Sequence, residues 1–323
     1  MRILSTGRYI PKRRVLNQEL TEWMDTSDDW IKKRTGIQSR YLSTGEETSD
    51  LCSKAADKIV SNGGVRVEDI GLIIVATMSP DSQSPSVASK VQAHLGAVNA
   101  VAFDLNAACS GFIYALSAAE KMLRHMSHSH ALVIGGEVMS KVVDWNDRKT
   151  AVLFGDGAGG VMLERNSDTE HFISEDLKTD GTRGEALVSG LSTVSNPIFE
   201  GETANGFLTM DGREIFNFVI KSIPMSIQSV MADQKLTVDD IDQFILHQAN
   251  ARIIESVSKK IKCPIEKFPM NIQHYGNTSA ASIPILLDEL NEQNKLFTDK
   301  KQKLILSAFG GGLTWGTLLL EIN

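Results

Sequence analysis

The sequence predicts an α/β protein assembled from two similar halves, and three observations carry that expectation. The first is alternation: short apolar runs rich in β-branched residues recur between stretches with apolar residues at helical spacing. These runs are Leu72-Ile73-Ile74-Val75, Leu132-Val133-Ile134, Phe244-Ile245-Leu246 and Leu304-Ile305-Leu306. Unbroken apolar runs suit strands buried on both faces, so mainly parallel sheets covered by helices are expected. The second is repetition, because Val67-Glu68-Asp69-Ile70 before one run is echoed by Val238-Asp239-Asp240-Ile241 before another, an offset of roughly 170 positions. At nearly the same offset, Leu132-Val133-Ile134-Gly135-Gly136 finds Leu304-Ile305-Leu306 with Gly310-Gly311-Gly312 shortly after, and Asn106-Ala107-Ala108-Cys109-Ser110-Gly111 finds Tyr275-Gly276-Asn277-Thr278-Ser279-Ala280. The third is continuity: no low-complexity linker separates the halves, so they should share an interface, and a site can lie across it.

Taken in order, Thr48 to Val60, Gly111 to Leu123 and Ile285 to Leu290 place apolar residues at helical spacing and supply covering layers. Val101-Ala102-Phe103-Asp104-Leu105 reads as a strand that feeds the second of these helices. The boundary between halves is expected in Arg165 to Thr182, where the polar Asn166-Ser167-Asp168-Thr169-Glu170 breaks the strand pattern, giving units 1–170 and 171–323. Residues 190–206, rich in Gly, Ser, Thr and Asn, read as an exposed loop. Gly155-Asp156-Gly157-Ala158-Gly159-Gly160 has strand-like sequence on both sides, so it reads as a turn and lacks the strand-to-helix setting of a nucleotide loop. His125, His128 and His130 read as a surface connection without metal, and Lys300, Lys301 and Lys303 as a solvated turn.

The chain has 323 residues, 42% hydrophobic and 23% charged, which places it among compact globular proteins. A formal charge of −7 and a pI near 5.6 argue against nucleic acid or anionic lipid as general partners, so an acidic partner must meet a local basic patch. The amino terminus lacks the long apolar stretch of a signal peptide, and no run approaches the ~18 apolar residues of a membrane span. A cytoplasmic location is expected. Cys52, Cys109 and Cys263 are odd in number and widely spaced, which fits reduced thiols.

Cys109 follows a strand-like run and precedes a helix-like one, so its sulfur should meet a helix amino terminus, which favours the thiolate near neutral pH. Small neighbours Ala107, Ala108, Ser110 and Gly111 leave room for a tetrahedral adduct, whereas Cys52 and Cys263 lack this setting and read as packing. His247 follows the run Phe244-Ile245-Leu246, where an α/β sheet opens onto a ligand crevice. Asn277 stands in a tight glycine turn and carries an amide donor. His247 and Asn277 can donate to a developing enolate oxygen, while main-chain N–H groups at Cys109 and Gly310-Gly311-Gly312 serve a tetrahedral adduct.

Ala107-Ala108-Cys109-Ser110-Gly111, His247-Gln248-Ala249-Asn250, Tyr275-Gly276-Asn277-Thr278-Ser279 and Gly310-Gly311-Gly312-Leu313-Thr314-Trp315-Gly316 resemble the signatures of the β-ketoacyl-acyl-carrier-protein synthase III family. Asp25-Thr26-Ser27-Asp28-Asp29-Trp30, Arg34-Thr35-Gly36-Ile37, Asp147-Arg148 and Phe154-Gly155-Asp156-Gly157-Ala158-Gly159 extend the resemblance along the whole chain. It implies a thiolase-like duplicated fold, layered αβαβα with two mixed sheets, in a homodimer. It also implies acyl transfer from coenzyme A to Cys109, then decarboxylation of malonyl carrier protein and Claisen condensation. Acyl-coenzyme A would be a substrate, with no permanently bound cofactor.

By the same resemblance, Trp30 and Arg148 would sandwich the adenine of coenzyme A, with Thr26, Arg34, Gly212 and Asn250 nearby; Arg213 stands where the family often has asparagine. Gly311, Phe309 and Ser84 would line the oxyanion and acyl pocket, Ser84 from the neighbouring subunit, where its small volume would admit primers longer or more branched than acetyl. Gln248, Ala249, Asn250, Ala251 and Arg252 resemble the carrier-recognition segment, with Arg252 and Lys259 on one helix face.

Four other readings compete. A chain-elongating condensing enzyme resembles a Cys-His-His set, which Asn277 breaks. A polyketide or β-keto acid synthase would differ in acceptor. A papain-like hydrolase orders Cys, His and Asn similarly but has another signature around its cysteine. A non-enzymatic acyl-binding protein would have no use for the three residues together.

Overall fold

The computed structural model describes residues 1–165, 170–191, 194, 196–198, 206–298 and 300–322. Much of the 190–206 loop, and residues 166–169 of the expected boundary stretch Arg165 to Thr182, lie outside the described residues. In chain order the strands are β1 (Arg2–Tyr9), β2 (Arg13–Leu16), β3 (Ser39–Leu42), β4 (Ile70–Ala76), β5 (Val101–Leu105), β6 (His130–Glu137) and β7 (Gly157–Glu164). They continue with β8 (Phe172–Thr179), β9 (Leu187–Val188), β10 (Thr209–Met210), β11 (Gln243–Leu246), β12 (Gln302–Gly310) and β13 (Thr314–Ile322).

One main sheet has the order β1-β7-β6-β4-β5, the other β11-β12-β13-β8. In the first, β4 runs parallel to β5 and β6, and the pairs β6/β7 and β7/β1 are antiparallel. In the second, β11 is parallel to β12, and β12/β13 and β13/β8 are antiparallel. The set β4-β6-β7-β1 therefore matches β11-β12-β13-β8 in order and direction, the topological form of the duplication. The expectation of mainly parallel sheets needs correction, because apolar runs report burial on both faces and carry no information on direction. A short turn through Gly311 and Gly312 folds β13 back on β12, which makes that pair antiparallel.

Alternate residues of each strand explain the layering. Leu72, Ile74 and Ala76 of β4 and Leu304, Leu306 and Ala308 of β12 face one central core, which also holds Phe112, Ile113 and Leu116 of the helix Gly111–Leu123 and Leu286, Leu287 and Leu290 of the helix Ser282–Glu292. Ile73 and Val75 point the other way, onto the helices Thr48–Gly63 and Val87–Leu95. Ile305 of β12 likewise faces the helices Gly212–Asp233 and Ala251–Ile261. The order is helix, sheet, helix pair, sheet, helix. Among the described residues, the helix Gly212–Asp233 is long and apolar enough by composition to cross a membrane, but Phe218, Val219, Ile223, Ile227 and Val230 seat it on the second sheet.

The echoed sequences adopt echoed structures. Val67–Asp69 and Val238–Asp240 each form a single 3-10 turn that delivers a strand with a parallel partner, β4 and β11. Ala108–Ser110 and Ser279–Ala281 each form another at the entry of a middle-layer helix, preceded or opened by a residue forced to positive φ, Ala108 at 47° and Ser279 at 50°. Gly155-Asp156-Gly157-Ala158-Gly159-Gly160 is mostly the start of β7 rather than a turn. Its glycines admit close neighbours: a Cβ at Gly155 would lie 2.2 Å from the Tyr275 carbonyl oxygen.

Cys52 is fully buried, and a Cβ at Gly136 would lie 2.1 Å from its sulfur. Gly136→Ala should therefore lower stability by about 1–3 kcal/mol, and Cys52→Ala in the same chain should recover part of that loss. Denaturant midpoints of the two single variants and the double variant measure the coupling. Strict additivity would show that the clash is relieved elsewhere.

Candidate active site

Cys109 sits in the turn Ala108–Ser110 at the foot of the helix Gly111–Leu123, only 7% exposed. The turn is seated against the end of β12, where a Cβ at Gly310 would come within 2.6 Å of the Cys109 nitrogen. The pseudo-symmetric turn Ser279–Ala281 is seated in the same manner on β6, since a Cβ at Gly135 would lie 2.2 Å from the Ala280 carbonyl oxygen. Each half thus offers a glycine to the other half's turn. The two turns also pack on one another.

His247 follows β11, its N–H bonded to the Ser307 carbonyl of β12 at 2.9 Å. Its ring meets Phe309 edge to face at 5.1 Å, and Nδ1 lies 2.7 Å from the Ser282 hydroxyl. Burial drives its pKa down to about 3, so the imidazole is neutral. Asn277 is stitched to residues 153–155 by two main-chain hydrogen bonds, its own N–H to Leu153 O and Gly155 N–H to its carbonyl. Its side-chain oxygen accepts from the Ser279 N–H at 2.8 Å, which leaves the NH2 end toward the cavity that Asn277 lines. Cys109, His247 and Asn277 are thereby gathered around the Phe309–Gly310 end of β12 and the turn that opens the helix Ser282–Glu292.

The thiol departs from expectation. Burial pushes Cys109 up to about 12; hydrogen bonding from Ser279 opposes this, and the nearby Glu137 carboxylate adds to it. Ser279 has one hydroxyl proton; with that proton on Glu137 at 3.0 Å the thiol loses this support, and burial stays the dominant influence. Glu137 is fully buried and is itself raised to about 6 by burial, although Ser79, Met78, Ser279 and Thr77 all donate to it. A helix amino terminus alone does not make this a ready thiolate. At rest the thiol and the imidazole are both neutral.

A cavity of about 600 Å³ opens beside Asn277. Arg34, Arg148, Lys149, Arg213 and Arg252 line it, and among the described residues no carboxylate does, on a chain whose net charge is −7. Trp30 stands in its wall with the Arg34 guanidinium 5.0 Å and the Arg148 guanidinium 5.5 Å from its ring centre. A flat base stacked between Trp30 and Arg148 needs two contact gaps, about 7 Å in all, so Arg148 must swing away and release its hydrogen bond to the Asp25 carbonyl. Lys149 and Phe216 also line the cavity and were not foreseen; the neighbouring Arg148 was the available signal for the first.

The remaining residues separate. Gly212 lines the same cavity. Asn250 does too, but its amide is engaged: Oδ1 caps the helix Ala251–Ile261 at Arg252 N–H, and Nδ2 donates to the Arg34 carbonyl. The Thr26 hydroxyl is buried without a partner. Gly311 belongs to a second cavity of about 310 Å³ on the far side of the nucleophile turn, with Ala107, Ala108 and Thr314. Ser84 is exposed on the single chain.

Arg252 and Lys259 are exposed on the helix Ala251–Ile261, and Ala249 and Ala251 are half-buried. Gln248 requires correction as a carrier-facing residue. It is 1% exposed, donates to the Leu246 carbonyl and accepts from the Asn271 N–H, so its amide points into the fold. Among the described residues, no group of three or more His, Cys, Asp or Glu side chains could hold a metal ion.

Comparison with known proteins gives one answer along the chain. The family model of 3-oxoacyl-[acyl-carrier-protein] synthase III matches residues 103–181, and that of the family's C-terminal region matches 231–322. A β-ketoacyl-[acyl-carrier-protein] synthase III of Streptococcus equi subsp. zooepidemicus is 50% identical over 321 residues, 99% of each chain. The crystal structure of the 3-oxoacyl-[acyl-carrier-protein] synthase III of Aquifex aeolicus superimposes with a TM-score of 0.91 at 39% identity, covering 98% of both chains. The priming β-ketosynthase of the R1128 polyketide pathway gives 0.91 at 32% identity over 99% of this chain and 96% of its own.

The raised thiol has a direct consequence. Iodoacetamide labelling of Cys109, followed by peptide mass spectrometry, should accelerate about tenfold per pH unit from 7 to 10 without levelling, because the thiolate fraction keeps rising below a pKa near 12. A plateau below pH 9 would mean that the helix terminus outweighs burial.

Proposed function

The chain belongs to the β-ketoacyl-[acyl-carrier-protein] synthase III family of condensing acyltransferases, and from that premise we propose that Cys109 is its nucleophile and that His247 and Asn277 donate to the enolate. The enzyme acts at the initiation of fatty-acid synthesis, taking acyl-coenzyme A and malonyl carrier protein as substrates. The observation that carries the residue assignment is the gathering of Cys109, His247 and Asn277 around the Phe309–Gly310 end of β12 and the Ser279 turn, with a cavity that Asn277 lines carrying five cations and no acid among the described residues. Such a ring suits a phosphate-bearing thioester.

In the first half-reaction the Cys109 sulfur attacks the thioester carbonyl, a C–S bond to the enzyme forms, and the bond to coenzyme A breaks. The departing thiolate takes the cysteine proton, so the neutral thiol never needs to ionise ahead of the substrate. In the second, the malonyl carboxylate leaves as CO2, and the electron pair moves onto an enolate whose oxygen receives hydrogen bonds from His247 and Asn277. The enolate carbon attacks the acyl-cysteine carbonyl and expels the cysteine thiolate, which takes up a proton. The product is a 3-ketoacyl carrier protein. A neutral imidazole suits the donor role, since at a pKa near 3 it holds one N–H throughout the working range.

The adenine is proposed to rest on Trp30 after Arg148 moves, with Thr26, Arg34, Gly212 and Asn250 nearby. Gly311 and Phe309, with Ser84 of a second copy, form the oxyanion and acyl pocket in this reading. The halves divide at 170/171, no resident cofactor takes part, and the enzyme works in the cytoplasm. A homodimer is proposed through β5, which ends its sheet with Val101 54% exposed and one face of its ladder unpaired. The acidic carrier would meet Arg252, with Lys259 behind it on the same helix.

Intact-protein mass spectrometry after exposure to a panel of acyl-coenzyme A donors, then malonyl carrier protein, tests the reading. Wild type should gain one acyl group and lose it on adding the carrier. Cys109→Ser should gain none, and His247→Ala or Asn277→Ala should acylate but decarboxylate at least about 100-fold more slowly. An adduct at Cys52 or Cys263, or equal damage to both half-reactions, would sink the assignment.

Charge reversal at the carrier surface should affect encounter alone. Lys259→Glu, on the exposed face of the same helix and outside the cavity lining, is expected to raise the KM for malonyl carrier protein severalfold and to spare acylation by acyl-coenzyme A. Unchanged carrier dependence would move the docking surface elsewhere.

A further inference from the structure

We infer that the Ser282 hydroxyl is a positioning group that holds His247 as the tautomer with its proton on Nε2. The argument is one of satisfiability. His247 and Ser282 are 1% and 3% exposed, so neither can turn to bulk water for a partner. Ser282 Oγ lies 2.7 Å from Nδ1, and the Gln248 N–H points at the same oxygen from 3.3 Å. A hydroxyl has one proton to give and two lone pairs to fill. With the ring proton on Nδ1, the oxygen would receive two N–H donors, and its own proton would meet no acceptor among the described residues. With the ring proton on Nε2, Gln248 donates to Oγ, Oγ donates to Nδ1, and each contact around the hydroxyl pairs a donor with an acceptor.

The surroundings leave the pair no freedom to rearrange. Ser282 is the first residue of the helix Ser282–Glu292, placed there by the turn Ser279–Ala281 that the Gly135 approach seats. The His247 backbone is bonded to Ser307, and the ring is held edge-on by Phe309. An isolated neutral imidazole divides its proton between both nitrogens, whereas this one is committed before any substrate arrives. The consequence rests on the enolate-donor reading above: only an Nε2 that carries a hydrogen can donate to the enolate while Nδ1 faces Ser282. A serine placed one turn beyond Asn277 thus acts through the histidine without touching substrate.

The test reads the tautomer directly, by long-range ¹H–¹⁵N correlation spectra of the whole enzyme labelled at its 7 histidines, with His247→Ala assigning the resonance. Wild type should show a bare Nδ1 and a protonated Nε2. Ser282→Ala should lose that exclusive preference and slow malonyl decarboxylation about tenfold, the scale of one hydrogen bond, with KM for malonyl carrier protein within about twofold. Ser282→Thr, which keeps the hydroxyl, should restore both. A protonated Nδ1 in wild type, or an unchanged Nε2–H in Ser282→Ala, overturns the inference. The wild-type spectrum decides the tautomer even if a variant fails to fold. Undiminished decarboxylation by His247→Ala would instead overturn the donor reading, and the spectrum would still decide the tautomer.

Discussion

The site exists because two glycines let the halves of the chain approach more closely than any side chain allows. The nucleophile turn of the first half rests on Gly310 of the second, and the turn that carries Ser279 rests on Gly135 of the first. Both turns bend through a residue at positive φ, a conformation that costs of order 1–3 kcal/mol and persists only where packing enforces it. The middle pair of helices grows from these turns, and the central core forms around them. Displacing the first turn would move the cysteine, and displacing the second would disturb Asn277, which Ser279 holds, and Ser282, which meets the imidazole.

Burial then sets the chemistry of the resting site. A thiol pushed up and an imidazole driven down leave both groups uncharged, so the site holds no isolated ion at its centre. Charge is kept at the mouth instead, as five cations on an acidic molecule. In the proposed reading, that separation would let a polyanionic substrate meet cations at the mouth, while the one buried carboxylate near the thiol, Glu137, is held by several hydrogen-bond donors.

The fold was legible because its signals are local and repeated. Leu72-Ile73-Ile74-Val75 announced a doubly covered strand, and the Val67/Val238 echo marked matching turns. Strand direction was not legible, because burial does not encode it, and Gly155-Asp156-Gly157-Ala158-Gly159-Gly160 looked like a turn although its glycines serve close packing within β7. Cys109 and Asn277 could be picked out by motif, yet the state of the thiol could not, since desolvation depends on everything folded around it. Gln248 failed as a surface contact because its motif says where the chain passes and not which way an amide points. Ser282 carries no motif at all; only the 2.7 Å contact marks it.

The contact of Arg148 with Trp30 has a bearing on how the molecule behaves in company. An indole at the rim of an open cavity is an adhesive surface, ready to stick to other chains. Arg148, tied to Asp25, lays a charged, planar guanidinium over that ring. The side chain proposed to make way for a substrate would therefore also keep the mouth from becoming a nucleus for aggregation in a crowded cell.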